Sequence, residues 1–251
     1  MAEGSAIGAV PLADAGSDAA SGLAVAWRRN AGAVPYEAAL AAMREQAEGI
    51  RAGDAGEAVW LLEHPPVFTA GTSARPEDLF NPRGFPTAVA GRGGQWTYHG
   101  PGQRVAYVML DLDREHGTLP RRDVRRFVQA LEGWLIGALA RLGVEAFVRE
   151  GRVGVWVPEP GTGRDLKLAA IGVRVTRWVS WHGVAVNLDP ALEHFDGIVP
   201  CGIRGHGVTS LRALGLDTTA AELDAALAAS WPNWFGGAVP EVTPAEFTPA
   251  G

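Results

Sequence analysis

Four apolar runs stand back to back at 144–148, 153–157, 168–175 and 178–187. Each has the length and the β-branched or aromatic content of a strand, and the last two read as a hairpin. So many neighbouring strands demand a sheet, and a sheet must bury its apolar faces against other elements. Residues 121–142 supply amphipathic helical spacing, with Pro120 near the start and Gly143 after the end. Residues 36–52 are alanine-rich at the same period, and Gly53 follows as a stop. Strand-like runs at 58–62 and 105–112 fall between these helices. Thr219 and Glu222 have capping-box spacing and open a last helix that reaches about Trp231. The expectation is an α+β, or mixed α/β, single domain with a central sheet flanked by helices.

A chain of 251 residues accommodates one large domain or two small ones, and no linker-like stretch divides this one. The expected organisation is a flexible N-terminal tail over 1–22, a catalytic domain over 23–236 and a C-terminal tail over 237–251. The formal charge is −6, which argues against a nucleic-acid surface built from clustered Lys and Arg. No apolar run reaches the ~20 residues of a membrane span, and the N-terminus lacks a basic region and an apolar core. Cys201 is the single cysteine, which excludes an intrachain disulfide and fits a reducing cytoplasm.

Glycine, proline and histidine concentrate in EHPP at 63–66, GRGGQWTYHGPGQ at 91–103, KLAAIG at 167–172 and IVPCGI at 198–203. Each lies at a predicted strand end, where loops on a rigid sheet carry function. Cys201 sits between Pro200, whose φ is fixed, and Gly202, which leaves the thiol unobstructed. Free cysteines are usually small buried hydrophobes, so this placement alone does not make a nucleophile. Lys167 is the only lysine, arginine supplying the other basic side chains. Unlike arginine, a partly desolvated lysine can give up its proton, so its retention before an apolar strand suggests proton transfer. His64, His99 and His182 are candidates to converge on one pocket. The histidines and Cys201 show no metal-ligand spacing, and no metal or cofactor is expected. The G-x-S-x-G elbow and the G-x-x-x-x-G-K-[ST] loop are both absent.

Taken in order, EHPPVFTAG at 63–71, RGGQWTYHGPGQ at 92–103, KLAAIGVRV at 167–175, WHGVAVNLDP at 181–190, FDGIVPCGI at 195–203 and VTSL at 208–211 resemble the octanoyltransferase (lipoyl/octanoyl transferase) family of lipoate biosynthesis. The resemblance covers roughly 24–235 and implies the fold of the biotin/lipoate ligase catalytic domain. It implies transfer of an octanoyl group from octanoyl-acyl carrier protein to a lysine of lipoyl domains. Those acceptors belong to 2-oxoacid dehydrogenase complexes and the glycine cleavage H protein. Carried over by position, Cys201 is similar to the acyl-thioester nucleophile and Lys167 to its dyad partner. Segments resembling acyl-pocket walls are Arg92, Gly93, Gly94, Gln95, Trp96, Thr97, Tyr98 and His99, then Ala170, Ile171 and Gly172, then Gly183, Val184 and Ala185. The sequence departs from many relatives at Thr72-Ser73-Ala74, where they carry arginine near the glycine.

Chemistry agrees with those roles. Thioester attack needs thiolate, whereas a free cysteine titrates near pH ~8.5, and a neighbouring ammonium favours the ionised form. The alternative is an ATP-dependent lipoate/biotin-type protein ligase, which needs no cysteine. An acidic carrier meeting an acidic chain calls for a local basic patch, and Arg121, Arg122, Arg125 and Arg126 at a helix start are candidates.

Overall fold

The computed structural model describes residues 25–159, 161–199 and 207–246. Strand β1 (Ala26–Ala33) runs into helix α1 (Tyr36–Ala52), and β2 (Ala58–Glu63) returns parallel to β1. Helix α1 stops at Gly53, whose φ of 82° lets its amide turn back onto the Ile50 carbonyl. Strands β3 (Val67–Ala70), β4 (Thr87–Val89) and β5 (Trp96–His99) form a small separate sheet in the order β4–β3–β5. Then come β6 (Gln103–Met109), helix α2 (Val124–Arg141), β7 (Phe147–Arg149), β8 (Arg152–Pro158), β9 (Asp165–Thr176) and β10 (Val179–Asn187). The described chain closes with β11 (Gly207–Val208), α3 (Ala220–Ser230), α4 (Pro232–Phe235) and β12 (Val242–Ala245).

The main sheet is ordered β12–β1–β2–β6–β10–β9–β8–β7, with β11 added parallel to the start of β9. Alternation along its strands sorts the core into two layers. Val59, Leu61, Ala106, Val108, Val184 and Val186 face α2 and α3. Ala58, Trp60, Leu62, Val105, Tyr107 and Ala185 face α1. On the α2 side Trp134 is fully buried, edge-on to Trp27 at 5.9 Å and to Trp231 at 5.3 Å. Its ring N–H donates to the Leu227 carbonyl at 2.8 Å, so the indole buries no unpaired donor. Arg104 and Asp224, both buried, form a two-pronged ion pair at 2.8 and 2.7 Å that ties β6 to α3.

The sheet flanked by helices is the expected α+β arrangement, with local differences. Helix α2 begins at Val124, because Asp123 caps it by accepting the Arg126 amide at 2.9 Å. Strand β7 begins at Phe147, and Val144 is instead buried in the core. Residues 237–251, read as a tail, include β12, which pairs parallel with β1 from Trp27 to Asn30. The expected tail over 1–22 lies outside the described residues. No described helix is long and apolar enough to cross a membrane.

Candidate active site

On the α1 side of the sheet, under the small sheet, is a cavity of about 50 Å³. Its floor is Ala170, Ile171 and Gly172 of β9 beside Gly183, Val184 and Ala185 of β10. Its walls come from Arg92, Thr97, His99, His182, Val105, Tyr107 and Tyr36. Parts of the three segments that resemble acyl-pocket walls, 92–99, 170–172 and 183–185, therefore meet here.

Arg92 is buried and fixed by carbonyls. Its Nη2 donates to Thr69 O and Oγ1, both at 2.9 Å, and its Nη1 donates to Gly93 O at 3.0 Å and Gln95 O at 3.1 Å. Gly172 makes room for it, since a Cβ there would come within 2.7 Å of Arg92 Cδ. The backbone of 92–95 is itself anchored, Gly93 donating to Val173 O at 3.0 Å and Ser73 to Gly94 O at 3.0 Å.

Two departures from regular strand geometry aim side chains at this face. In β8–β9 pairing, Val155 faces Ala169 but Trp156 faces Lys167, so Leu168 is an extra residue, a β-bulge. Leu168 and Ala169 both pack into the α2 layer, and Lys167 emerges on the opposite face. There its Nζ donates to Val153 O at 2.9 Å and lies over the Trp156 ring, 4.9 Å from the centroid. Gly154, at φ +124°, clears the way: a Cβ would stand 3.1 Å from Lys167 Cε and 3.2 Å from Nζ. The second departure is His182, whose φ is 61° within β10. Alternation with Val184 and Val186 would turn its ring to the α2 side. The left-handed backbone instead stacks it on Trp181 at 4.8 Å, where Nε2–H donates to Ala90 O at 3.1 Å.

Hydrogen-bond partners also fix the other histidines. His64 Nδ1–H donates to Val34 O at 2.6 Å, so its Nε2 accepts from the Tyr107 hydroxyl at 2.6 Å. His64 thus buttresses a cavity wall without lining the cavity. For His99 the chain of logic starts at a carbonyl. Asn187 Nδ2 donates to Thr209 O at 2.9 Å, so Asn187 Oδ1 accepts from Gln103 Nε2 at 2.9 Å. Gln103 Oε1 is then the acceptor at 2.6 Å for His99 Nδ1–H, leaving His99 Nε2 with its lone pair. Burial favours neutral imidazole throughout. It pushes His64 down to about 4 and His182 down to about 3, and Arg92 opposes a charge on His182 as well. His99 falls well below the ordinary value through burial, then through His64 and Arg92.

Several expected wall residues lie elsewhere. Tyr98 is buried against Phe68, Phe85 and Phe195, and its hydroxyl meets His194 Nδ1 at 2.7 Å. Trp96 joins the same cluster and donates to Arg75 O at 2.8 Å. Gly93, Gly94 and Gln95 build the loop that holds Arg92 and do not line the cavity. Tyr36, Val105 and Tyr107 do line it and were not expected. Tyr36 follows a proline at a helix start and Val105 and Tyr107 read as plain strand residues, so no motif marked them.

Cys201 lies outside the described residues. Its downstream neighbour β11 starts six residues later and pairs with β9, Gly207 opposite Leu166 and Val208 opposite Lys167. Of the candidate basic patch, Arg121 and Arg122 both bind Asp113 at 2.8 Å, holding that carboxyl at about 2. Arg125 and Arg126 remain on the exposed face of α2.

Comparisons with known proteins agree with this architecture. The family model of the lipoyl protein ligase A/B catalytic domain matches residues 35–231. An octanoyltransferase of Gluconacetobacter diazotrophicus is 60% identical over 212 residues, 84% of this chain and 91% of that one. One from Acidiphilium cryptum is 59% identical over 215 residues, 86% of this chain and 94% of that one. The fold matches a crystal structure of lipoate-protein ligase A bound with ATP at a TM-score of 0.64 and 14% identity, covering 87% of this chain and 90% of that one. A bipartite lipoate protein ligase from Thermoplasma acidophilum aligns at 0.63 and 15% identity, over 88% of each chain. The chain belongs to the lipoyl protein ligase A/B catalytic domain family and, within it, is an octanoyltransferase.

Proposed function

We propose that the chain takes an octanoyl group from octanoyl-acyl carrier protein onto Cys201 and delivers it to a lysine of a lipoyl domain. The observation that carries this reading is the bulge at Leu168. It sets Lys167, the only lysine of the sequence, on the face of β9 opposite Leu168 and Ala169, in the strand that β11, starting six residues after Cys201, joins.

In the first half, the Cys201 thiolate attacks the carrier thioester and displaces the carrier thiol, forming the acyl-enzyme. The Lys167 ammonium favours the thiolate, or its neutral amine takes the thiol proton. In the second half, the acceptor amine attacks the Cys201 thioester, an amide forms, and Lys167 receives the proton the amine loses. Backbone N–H groups of the glycine-rich turns meet the oxyanion. Arg92, Thr97 and His99, with Ala170 to Gly172 and Gly183 to Ala185, hold the acyl chain. Its methylenes each contribute about 0.8 kcal/mol on burial. The acceptors in this reading are the lipoyl domains of 2-oxoacid dehydrogenase complexes and the glycine cleavage H protein.

A direct test mixes the protein with octanoyl-carrier protein and weighs it. The expected result is a gain of about 126 Da on Cys201, one thiol hydrogen replaced by C8H15O. Cys201→Ser and Lys167→Arg should each abolish transfer. Normal turnover in the lysine variant would remove Lys167 from the mechanism. The shared fold also fits an ATP-dependent ligase. Octanoylation from free octanoate and ATP, with none from the carrier thioester, would replace the present reading.

A further inference from the structure

Trp181 stands opposite Arg174 in the β9–β10 pair, and it is 4% exposed. Two guanidiniums lie over its ring, Arg174 with Cζ 4.9 Å from the centroid and Arg44 of α1 at 5.9 Å. The Trp181 ring N–H donates to Thr176 Oγ1 at 3.1 Å. Gly91 makes room for Arg174, since a Cβ there would collide with Nη1.

Both arginines are exposed, and among the described residues neither makes an ion pair or a hydrogen bond. Glu45 and Glu48, exposed on the same helix as Arg44, pair with neither. Arg121 and Arg122, by contrast, are both engaged by Asp113. Covering an indole needs a long stem and a cation. It leaves the forked N–H donors of Arg44 and Arg174, which match a carboxylate two at a time, without acceptors.

Their position relates them to the site. Trp181 packs in the α1 layer, on the side of the sheet that holds the cavity. It stacks on His182, and Gly91 adjoins Arg92, both of them cavity walls. Burial, then Arg92, then Arg174 and Arg44 hold His182 neutral, so the field of both guanidiniums reaches the cavity wall. Arg125 and Arg126 are exposed too, but on α2, behind the opposite face of the sheet.

A chain of formal charge −6 repels an acidic protein at long range, so a local pair of fixed cations is needed to orient one. We propose that Arg44 and Arg174 form the docking point for a carboxylate-bearing face of the acyl carrier protein. This docking point rests on the acyl-transfer reading above and takes the place of the α2 arginines as the basic patch.

The experiment measures KM and kcat with octanoyl-carrier protein and with octanoyl-pantetheine, which has the thioester and no carrier face. It uses the unaltered enzyme, Arg44→Gln/Arg174→Gln and, as control, Arg125→Gln/Arg126→Gln. Loss of two exposed ion pairs should raise the carrier KM on the order of tenfold in the first variant and weaken its dependence on salt. Its kcat, its rates with octanoyl-pantetheine and all values of the control should stay as in the unaltered enzyme. An unchanged carrier KM, an equal loss with octanoyl-pantetheine, or a KM rise for the lipoyl domain instead would overturn the docking point. If the paired variant fails to fold, Arg44→Gln alone decides, with a rise of about threefold expected. If the unaltered enzyme transfers nothing from the carrier, the acyl-transfer reading fails by itself. The docking point is then judged by the Kd for octanoyl-carrier protein, and a Kd equal in the unaltered and paired-variant proteins overturns it.

Discussion

Gly154→Ala separates backbone strain from the placement of Lys167. The glycine sits at φ +124°, a region nearly closed to residues with a Cβ, and occupying it costs about 1–3 kcal/mol. The new methyl would also stand 2.7 Å from Ala169 O and 3.1 Å from Lys167 Cε, so overpacking adds about 1–3 kcal/mol. For a domain of this size each kcal/mol lowers the melting temperature by roughly 2–4 °C, giving an expected fall of roughly 4–24 °C. The methyl further drives the amine from its seat on Val153 O. If Lys167 transfers the proton as proposed, a displacement near 1 Å costs about 100-fold in rate. The control is Gly143→Ala, also at positive φ (+80°) but with nothing within 4 Å of the added Cβ. It should lose stability and keep its octanoyl transfer rate. Thermal melting and octanoyl transfer are measured on both. If Gly154→Ala transfers at the rate of Gly143→Ala, the glycine does not hold the lysine in a working position.

Other outcomes follow from the buried polar groups. Arg104→Met leaves the Asp224 carboxylate buried with only Arg29 at 3.8 Å, and should cost about 3–5 kcal/mol in urea unfolding. Adding Asp224→Leu should recover most of that loss, and no recovery would show that the pair does more than neutralise itself. Acid should weaken the fold through the histidines. The folded values of His64 and His182, about 4 and about 3, lie below the ordinary 6.5. As pH falls below 6.5 the unfolded chain therefore binds protons first. Each such histidine removes up to about 1.4 kcal/mol of stability per pH unit until its folded value is passed. A urea midpoint that stays flat between about pH 7 and about pH 4.5 would contradict neutral burial of these rings.

Much of this site was legible before any coordinates. Glycine-rich segments at strand ends announced where the cavity floor and the Arg92 loop would be, and helical spacing located α1 and α2. Orientation was not legible. Counting alternate residues from Ala169 or Val184 places Lys167 and His182 on the α2 face. Only the extra Leu168 and one left-handed φ reverse them, and neither leaves a signature in residue type. Tyr36 carries no local signature, because its ring partners His64 and His99 lie 28 and 63 residues away and meet it through folding alone. Strand β12 escaped because Pro240 and Pro244 punctuate a short polar stretch, yet a proline is tolerated where no further strand must pair.

That last strand bears on handling the protein. Among the described residues β12 forms one margin of the main sheet, with Pro244 set against Arg29. Lacking an N–H, the proline makes a poor template for another chain. Cutting the chain before Val242 would uncover the row of amides and carbonyls on β1, an open invitation to self-association. A purification handle therefore belongs beyond residue 246, so that the protective strip is left intact.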